Sequence, residues 1–208
     1  CLRGGEGTWI PSAKVFYIKM TLQDTQAKPV GGANVALRLE STGEVFASGA
    51  SSVEGALEVR LPGADYMVEA SWRGVSVYAA VIELTGDSNQ VLKVRVSYMT
   101  LSITDSKTAA IDDAWVVIAH STTGATMDAG ITDGNGTVTF RLPHATYIET
   151  VRWVGVEVSS GLSKILDKDL TWSISAHVYY MQLTVVDDRN LPLEQALKVA
   201  ELACFPVA

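Results

Sequence analysis

The sequence predicts an all-β protein: tandem seven-stranded sandwiches joined by continuous strands, with a partial repeat at each end. Three observations predict it. First, residues 24–77 and 105–158 repeat one another at a constant offset of 81 without a gap. Asp24 meets Asp105, Gly55 meets Gly136, Arg60-Leu61-Pro62 meets Arg141-Leu142-Pro143, Tyr66 meets Tyr147 and Trp72 meets Trp153. Second, short runs alternate with period two, which marks half-buried strands. Ala33, Val35, Leu37 and Leu39 take one face against Asn34, Ala36 and Arg38, and Val138, Phe140 and Leu142 oppose Thr137, Thr139 and Arg141. Gly, Pro, Asn and Asp break these runs about every 10 residues, the spacing of a small two-sheet sandwich. Third, each extremity copies only part of the repeat.

In chain order, residues 1–17 read as a closing strand. "TWIPSAKVFY" (8–17) lies over "TWSISAHVYY" (171–180) at an offset of 163, matching Thr8-Trp9, Ser12-Ala13, Val15 and Tyr17. Residues 18–98 form the first sandwich and 99–180 the second. Within the second, "TDGNGT" (132–137) is predicted to be a hairpin turn, since Asn and Gly accept positive φ. The junction "QVLKVRVSYMTLSITD" (90–105) contains no Gly or Pro. Its inward parity runs through Val94, Val96 and Tyr98, then flips to Met99, Leu101 and Ile103. The second junction flips likewise, from Ile174, Ala176, Val178 and Tyr180 to Met181, Leu183 and Val185. Faces alternate along a strand, so a flip marks passage from one core to the next. Junctions without flexible linkers predict a stiff rod.

Residues 181–208 then read as the opening strands of an incomplete third repeat. "LEQALKVAELACF" (193–205) consists of good helix formers, and Pro192 suits a helix start. The spacing from Pro192 to Ala196 copies that from Pro29 to Ala33, so a strand is the expectation. Opening strands alone expose Leu183, Val185 and Val199 together with unpaired backbone groups. At roughly 25 cal/mol per Å² this forfeits several kcal/mol. Head-to-tail pairing with another copy, continuation into a longer array, and folding back on the second sandwich each relieve it; the first is ranked highest.

The chain has 208 residues, 48% hydrophobic and 19% charged, with a formal net charge of −7. That supplies packed cores, and the absence of a basic stripe argues against nucleic-acid binding. No apolar run is long enough for a membrane-spanning helix. Cys1 opens the sequence without Met, which fits a secreted chain after signal removal and also a lipid anchor at Cys1. Cys1 and Cys204 are the two cysteines, one near each end. A disulfide is expected, between molecules if the rod keeps its own ends apart.

The pattern "PVGGANVALRLESTGEV" followed by "LPGADYMVEASWRGV" resembles the carboxypeptidase-regulatory-like domain and its relatives, the transthyretin-like and collagen-adhesin B-type sandwiches. The resemblance covers residues 18–180 and the opening of a third copy. It implies an immunoglobulin-like (transthyretin-like) sandwich and a secreted spacer or stalk rather than an enzyme. Adhesin-type relatives often carry a Lys–Asn crosslink with an acidic catalyst. Here opening-strand Lys19 is replaced by Thr100 and Gln182, so the crosslink is not carried over.

Chemistry-bearing motifs are sparse. His120, His144 and His177 lack metal-ligand spacing, and His144 reads as an exposed turn residue. Asp112-Asp113, Asp167, Asp169 and Asp187-Asp188 read as solvated turn acids rather than Ca2+ ligands. No cofactor is implied. Asn135-Gly136-Thr137 is a glycosylation sequon, or a plain turn. Trp115 is expected to point outward beside Val117, where contact with a neighbouring subunit and packing under a local loop both fit. Trp72 and Trp153 read as packing residues, and Trp9 joins the interface candidates. The expectation is a structural subunit of an extracellular filament, pilus or surface layer, a head-to-tail homo-polymer through strand complementation. The alternative is a carbohydrate- or protein-binding, or spacer, module of a larger secreted surface protein or enzyme.

Overall fold

The computed structural model describes residues 14–191. Within them the chain forms strands and no helix, in two compact units that divide between Val96 and Ser97. The first unit holds β1 (Val15–Gln23), β2 (Asn34–Leu39), β3 (Val45–Ala50), β4 (Ala56–Pro62), β5 (Asp65–Trp72), β6 (Val75–Glu83) and β7 (Ser88–Lys93). They pair as a three-stranded sheet, β4-β1-β7, and a four-stranded sheet, β3-β2-β5-β6. β1 runs antiparallel to β4 and parallel to β7. Ile18, Met20 and Leu22 from one sheet meet Val35, Leu37, Tyr66 and Val68 from the other, all at most 2% exposed. The period-two pattern exists because each strand has one dry face.

The second unit repeats this plan with β8 (Val96–Thr104), β9 (Trp115–His120), β10 (Thr126–Ile131), β11 (Thr137–Pro143), β12 (Ala145–Trp153), β13 (Val156–Leu166) and β14 (Leu170–Ser175). Its sheets are β11-β8-β14 and β10-β9-β12-β13. Met99, Leu101 and Ile103 pack with Val116, Ile118, Tyr147 and Trp172. The parity flip is visible in the cores: Val94 and Val96 belong to the first, Met99 to the second. Tyr98 and Tyr180 depart from the expected inward set; Tyr98 is half-buried and Tyr180 is 43% exposed.

Polar groups lock the same points of both units. The Tyr66 hydroxyl donates to the Pro62 carbonyl, and that of Tyr147 to Pro143. The buried Ser51 hydroxyl donates to Val30 O (2.8 Å) and accepts from Ala33 N–H (3.0 Å); Thr132 does the same with Ile111 O and Ala114 N–H. The Trp72 indole N–H donates to Gly31 O and that of Trp153 to Asp112 O, so both tryptophans pin a loop onto the core edge. Such satisfied buried donors specify one packing arrangement.

Two expectations are corrected. The run 90–105 is not one continuous strand: β7 ends at Lys93 and β8 begins at Val96. Val94 N–H donates to Gln23 O on β1, whereas Arg95 N–H donates to Val77 O on β6, so the backbone changes sheets within two residues. Ala176 N–H to Thr104 O and His177 N–H to Val158 O repeat the switch. Residues 132–137 are likewise not a hairpin, because β10 and β11 lie in different sheets. The turn is tight, with Gly136 at φ 70 and its N–H on Asp133 O at 2.7 Å. A Cβ on Gly136 would sit 2.5 Å from Ile103 O. Turn chemistry reports a reversal, not which strand the next one joins.

Candidate assembly interface

One turn occurs three times. Asp24, Asp105 and Asp187 each follow an opening segment and fold the next four residues back. The Asp105 backbone N–H donates to Ala109 O (2.9 Å), and its Oδ1 accepts from Lys107 and Ala109 N–H (both 2.8 Å). Asp24 does this with Lys28 O and with Gln26 and Lys28 N–H. Asp187 does it with Leu191 O and with Arg189 and Leu191 N–H (2.9 Å each). The third turn residue takes a left-handed conformation in all three, at Ala27, Thr108 and Asn190 (φ 60, 65 and 61). An aspartate side chain that accepts two backbone N–H groups nucleates such a turn locally. The third copy is therefore built although residues 181–185 form no ladder.

In the second unit the turn is clasped. Tyr180, just past β14, donates its hydroxyl to Asp105 Oδ2, and the Lys107 ammonium lies 3.7 Å from the centre of its ring. The Tyr180 bond, the Ala109 and Lys107 N–H groups and the Lys107 charge hold the Asp105 carboxyl below its ordinary pKa, although it is only 5% exposed and burial acts the other way. Beside this clasp a cavity of about 280 Å³ is lined by Asp105, Ile111, Asp112, Trp153, Tyr179 and Tyr180 among others.

Past the clasp the apolar side chains are open to solvent: Met181, Leu183, Val185 and Val186 are 38%, 48%, 43% and 41% exposed, and Leu191 58%. Tyr17, at the start of β1, is 50% exposed, with the Arg60 guanidinium 5.7 Å above its ring. Trp115 is 46% exposed on β9, and Val117 beside it is half-buried. Asn135 is exposed in its turn, where the Thr137 hydroxyl is already held by Asp133. Cys1, Trp9, Val199, Cys204 and the segment 193–205 lie outside the described residues. His144 is not the exposed turn residue its sequence context predicts; it is half-buried, with Nε2 2.8 Å from the Ser97 hydroxyl. The first unit has Gly63 and Phe16 at these positions, and a Cβ on Gly63 would meet the Phe16 ring at 2.9 Å. The polar pair replaces the aromatic ring and its glycine.

Sequence reading missed Glu149. It stands on β12 where the first unit has Val68 and is wholly buried. Oε1 accepts from the Ser159 hydroxyl (2.7 Å), while Oε2 has no partner. Burial pushes its pKa up, against the Ser159 bond. Opposite it the β12–β13 register shifts, and Gly161 takes φ 82. Val81 pairs with Met67 but Ser163 with Ile148, an offset of 82 where Tyr78 and Ser159 keep 81. A one-residue bulge has thus entered beside the acid, the usual way a sheet re-aims a side chain. Among the described residues no lysine is buried, and no three His, Cys, Asp or Glu side chains group as metal ligands.

No family model matches the chain, and no curated protein is significantly similar to it. Solved structures do align. The Bacillus anthracis TIE protein is 14% identical over 78% of this chain, which spans 34% of that one, at a TM-score of 0.36. GBS52, the minor pilin of Streptococcus agalactiae, is 14% identical over 77% of this chain and 95% of its own, at 0.43. The shaft pilin spaA from Lactobacillus rhamnosus GG is 12% identical over 77% and 98%, at 0.40. Values at this level carry no functional conclusion. The all-β sandwich architecture stands on the strands and sheets themselves.

Proposed function

We propose that the chain is a structural subunit of an extracellular filament, pilus or surface layer, assembled head to tail by strand complementation between copies. The observation that carries this reading is the third opening turn: it is folded at Asp187, yet its apolar strand residues stand exposed. The segment that bears closing-strand letters is 8–17, and its Trp9 is the sequence counterpart of Trp172, which is buried in the core of the second unit. Burying such side chains and pairing free strand edges drives association. Contacts of this heterologous kind propagate into open polymers unless rotation closes them.

Two further parts belong to the reading. Cys204 of one copy and Cys1 of the next meet at the joint and lock it, and Trp115 with Val117 supplies a lateral contact. Negative-stain microscopy of the purified chain tests the assembly. Filaments whose axial repeat matches two sandwich units are expected; monodisperse particles of single-chain mass at every concentration contradict it. The cavity beside Tyr180, with Trp153 and two aspartates, favours a second reading as a ligand-binding module. That reading expects such monomers, and saturable binding of a soluble sugar or peptide.

A further inference from the structure

The clasp of the second unit specifies the joint between copies residue by residue. Its three parts are Asp105 in the turn, Lys107 two residues on, and Tyr180 arriving after the closing strand. The third turn holds the first two in the same register: Asp187, with Oδ1 accepting from its own turn, and Arg189 two residues on. Among the described residues no tyrosine completes that set. Tyr17 is the counterpart of Tyr180, at the 163 offset that also aligns Trp9 with Trp172 and Asp24 with Asp187. Tyr17 is half exposed, and its hydroxyl has no hydrogen-bond partner among the described residues. Its backbone N–H is anchored on Asp87 Oδ1 at 2.8 Å, which fixes where the ring begins.

We infer that Tyr17 of a second copy donates its hydroxyl to Asp187 Oδ2, with the Arg189 guanidinium over its ring. This rests on the head-to-tail reading and names its partner atoms. The chemistry suits a tyrosine, and the 163 offset selects Tyr17. A carboxylate oxygen accepts from an O–H or N–H donor and a cation two residues away packs on a π-face; a phenol supplies both, as Tyr180 does in the second unit. Arg189 strengthens the stacking relative to Lys107, because a planar guanidinium lies flat on a ring.

Sedimentation equilibrium of the full chain, wild type beside Tyr17→Phe, Asp187→Asn and the double variant, tests this. Each single variant is expected to weaken self-association about ten- to a hundredfold, the worth of a hydrogen bond to a charged group. The double variant is expected to be no weaker than the worse single one, since both remove the same bond. Tyr180→Phe is the control: it is expected to lower the thermal midpoint of the second unit and to leave association unchanged. Association that is intact in both single variants, or losses that add in the double, overturns the Tyr17–Asp187 pairing while leaving head-to-tail assembly standing. Absence of self-association in the wild type overturns both.

Discussion

Val154 adopts φ 50 and Gly155 φ 79 at the β12–β13 turn, and Arg73 and Gly74 repeat the geometry at β5–β6. Two left-handed residues are what a two-residue hairpin between twisted strands requires. A β-branched side chain resists that conformation, and Val154 is 78% exposed, so it gains little in return. Val154→Asn is therefore expected to stabilise the second unit by about 1 kcal/mol, read as a raised thermal midpoint. Gly136→Ala acts oppositely. It strains φ and drives a methyl into the Ile103 carbonyl, costing about 2 kcal/mol in a denaturant titration. Glu149 makes stability depend on pH. Its folded pKa is raised, so the native state holds the proton longer than the unfolded chain does. The contribution of Glu149 to the second unit is full below the ordinary carboxylate range and is lost as pH rises through its folded pKa. Glu149→Gln is expected to flatten that slope in melts recorded from pH 4 upward. At this scale the sequence was only partly legible. The glutamate replacing Val68 was on view, but the bulge at Gly161 that receives it follows from backbone register, which one inserted residue barely marks in the letters.

Strand identity was the most legible feature of each element, because alternating burial leaves a period-two record that both units share. Strand partners were less so. The reversal at Asp133 looks like a hairpin in sequence, yet β11 crosses to the other sheet, since pairing is decided by which face must be dry. The break after Lys93 was equally hidden: Val94 and Arg95 are ordinary strand formers, and their N–H groups part company to reach two different sheets. The aspartate turn was visible as a letter repeated at Asp24 and Asp105, and its third copy, Asp187, was read as a solvated turn acid. Its burial and its tyrosine clasp were not visible, because Tyr180 lies 75 residues away in sequence. The depressed pKa of Asp105 has a signed consequence. Its ionised form stabilises the unit at every pH above the ordinary carboxylate range, and that contribution is lost as pH falls through the folded value. Asp105→Asn is expected to remove that acid limb from the unfolding profile, measured below pH 5.

The molecule carries two copies of one sandwich and the first turn of a third, and the offsets of 81 and 163 made that plan legible before any coordinate. What the offsets did not reveal is that the third turn would fold while residues 181–185 form no ladder. It does so because Asp187 satisfies its own turn through neighbours two and four residues on, independent of any strand partner. A joint locked by Cys1 and Cys204 predicts a ladder of multiples on non-reducing gels that collapses to one band with reductant; monomer alone, with both thiols titratable, contradicts it. The central claim is that the segment 181–186 waits for strands from another copy. Hydrogen exchange of its backbone amides across a concentration series tests this most directly. Fast exchange in dilute protein, turning to protection as the chain associates, is the predicted result; exchange that stays fast as particles grow, or protection already present in the dilute monomer, contradicts it.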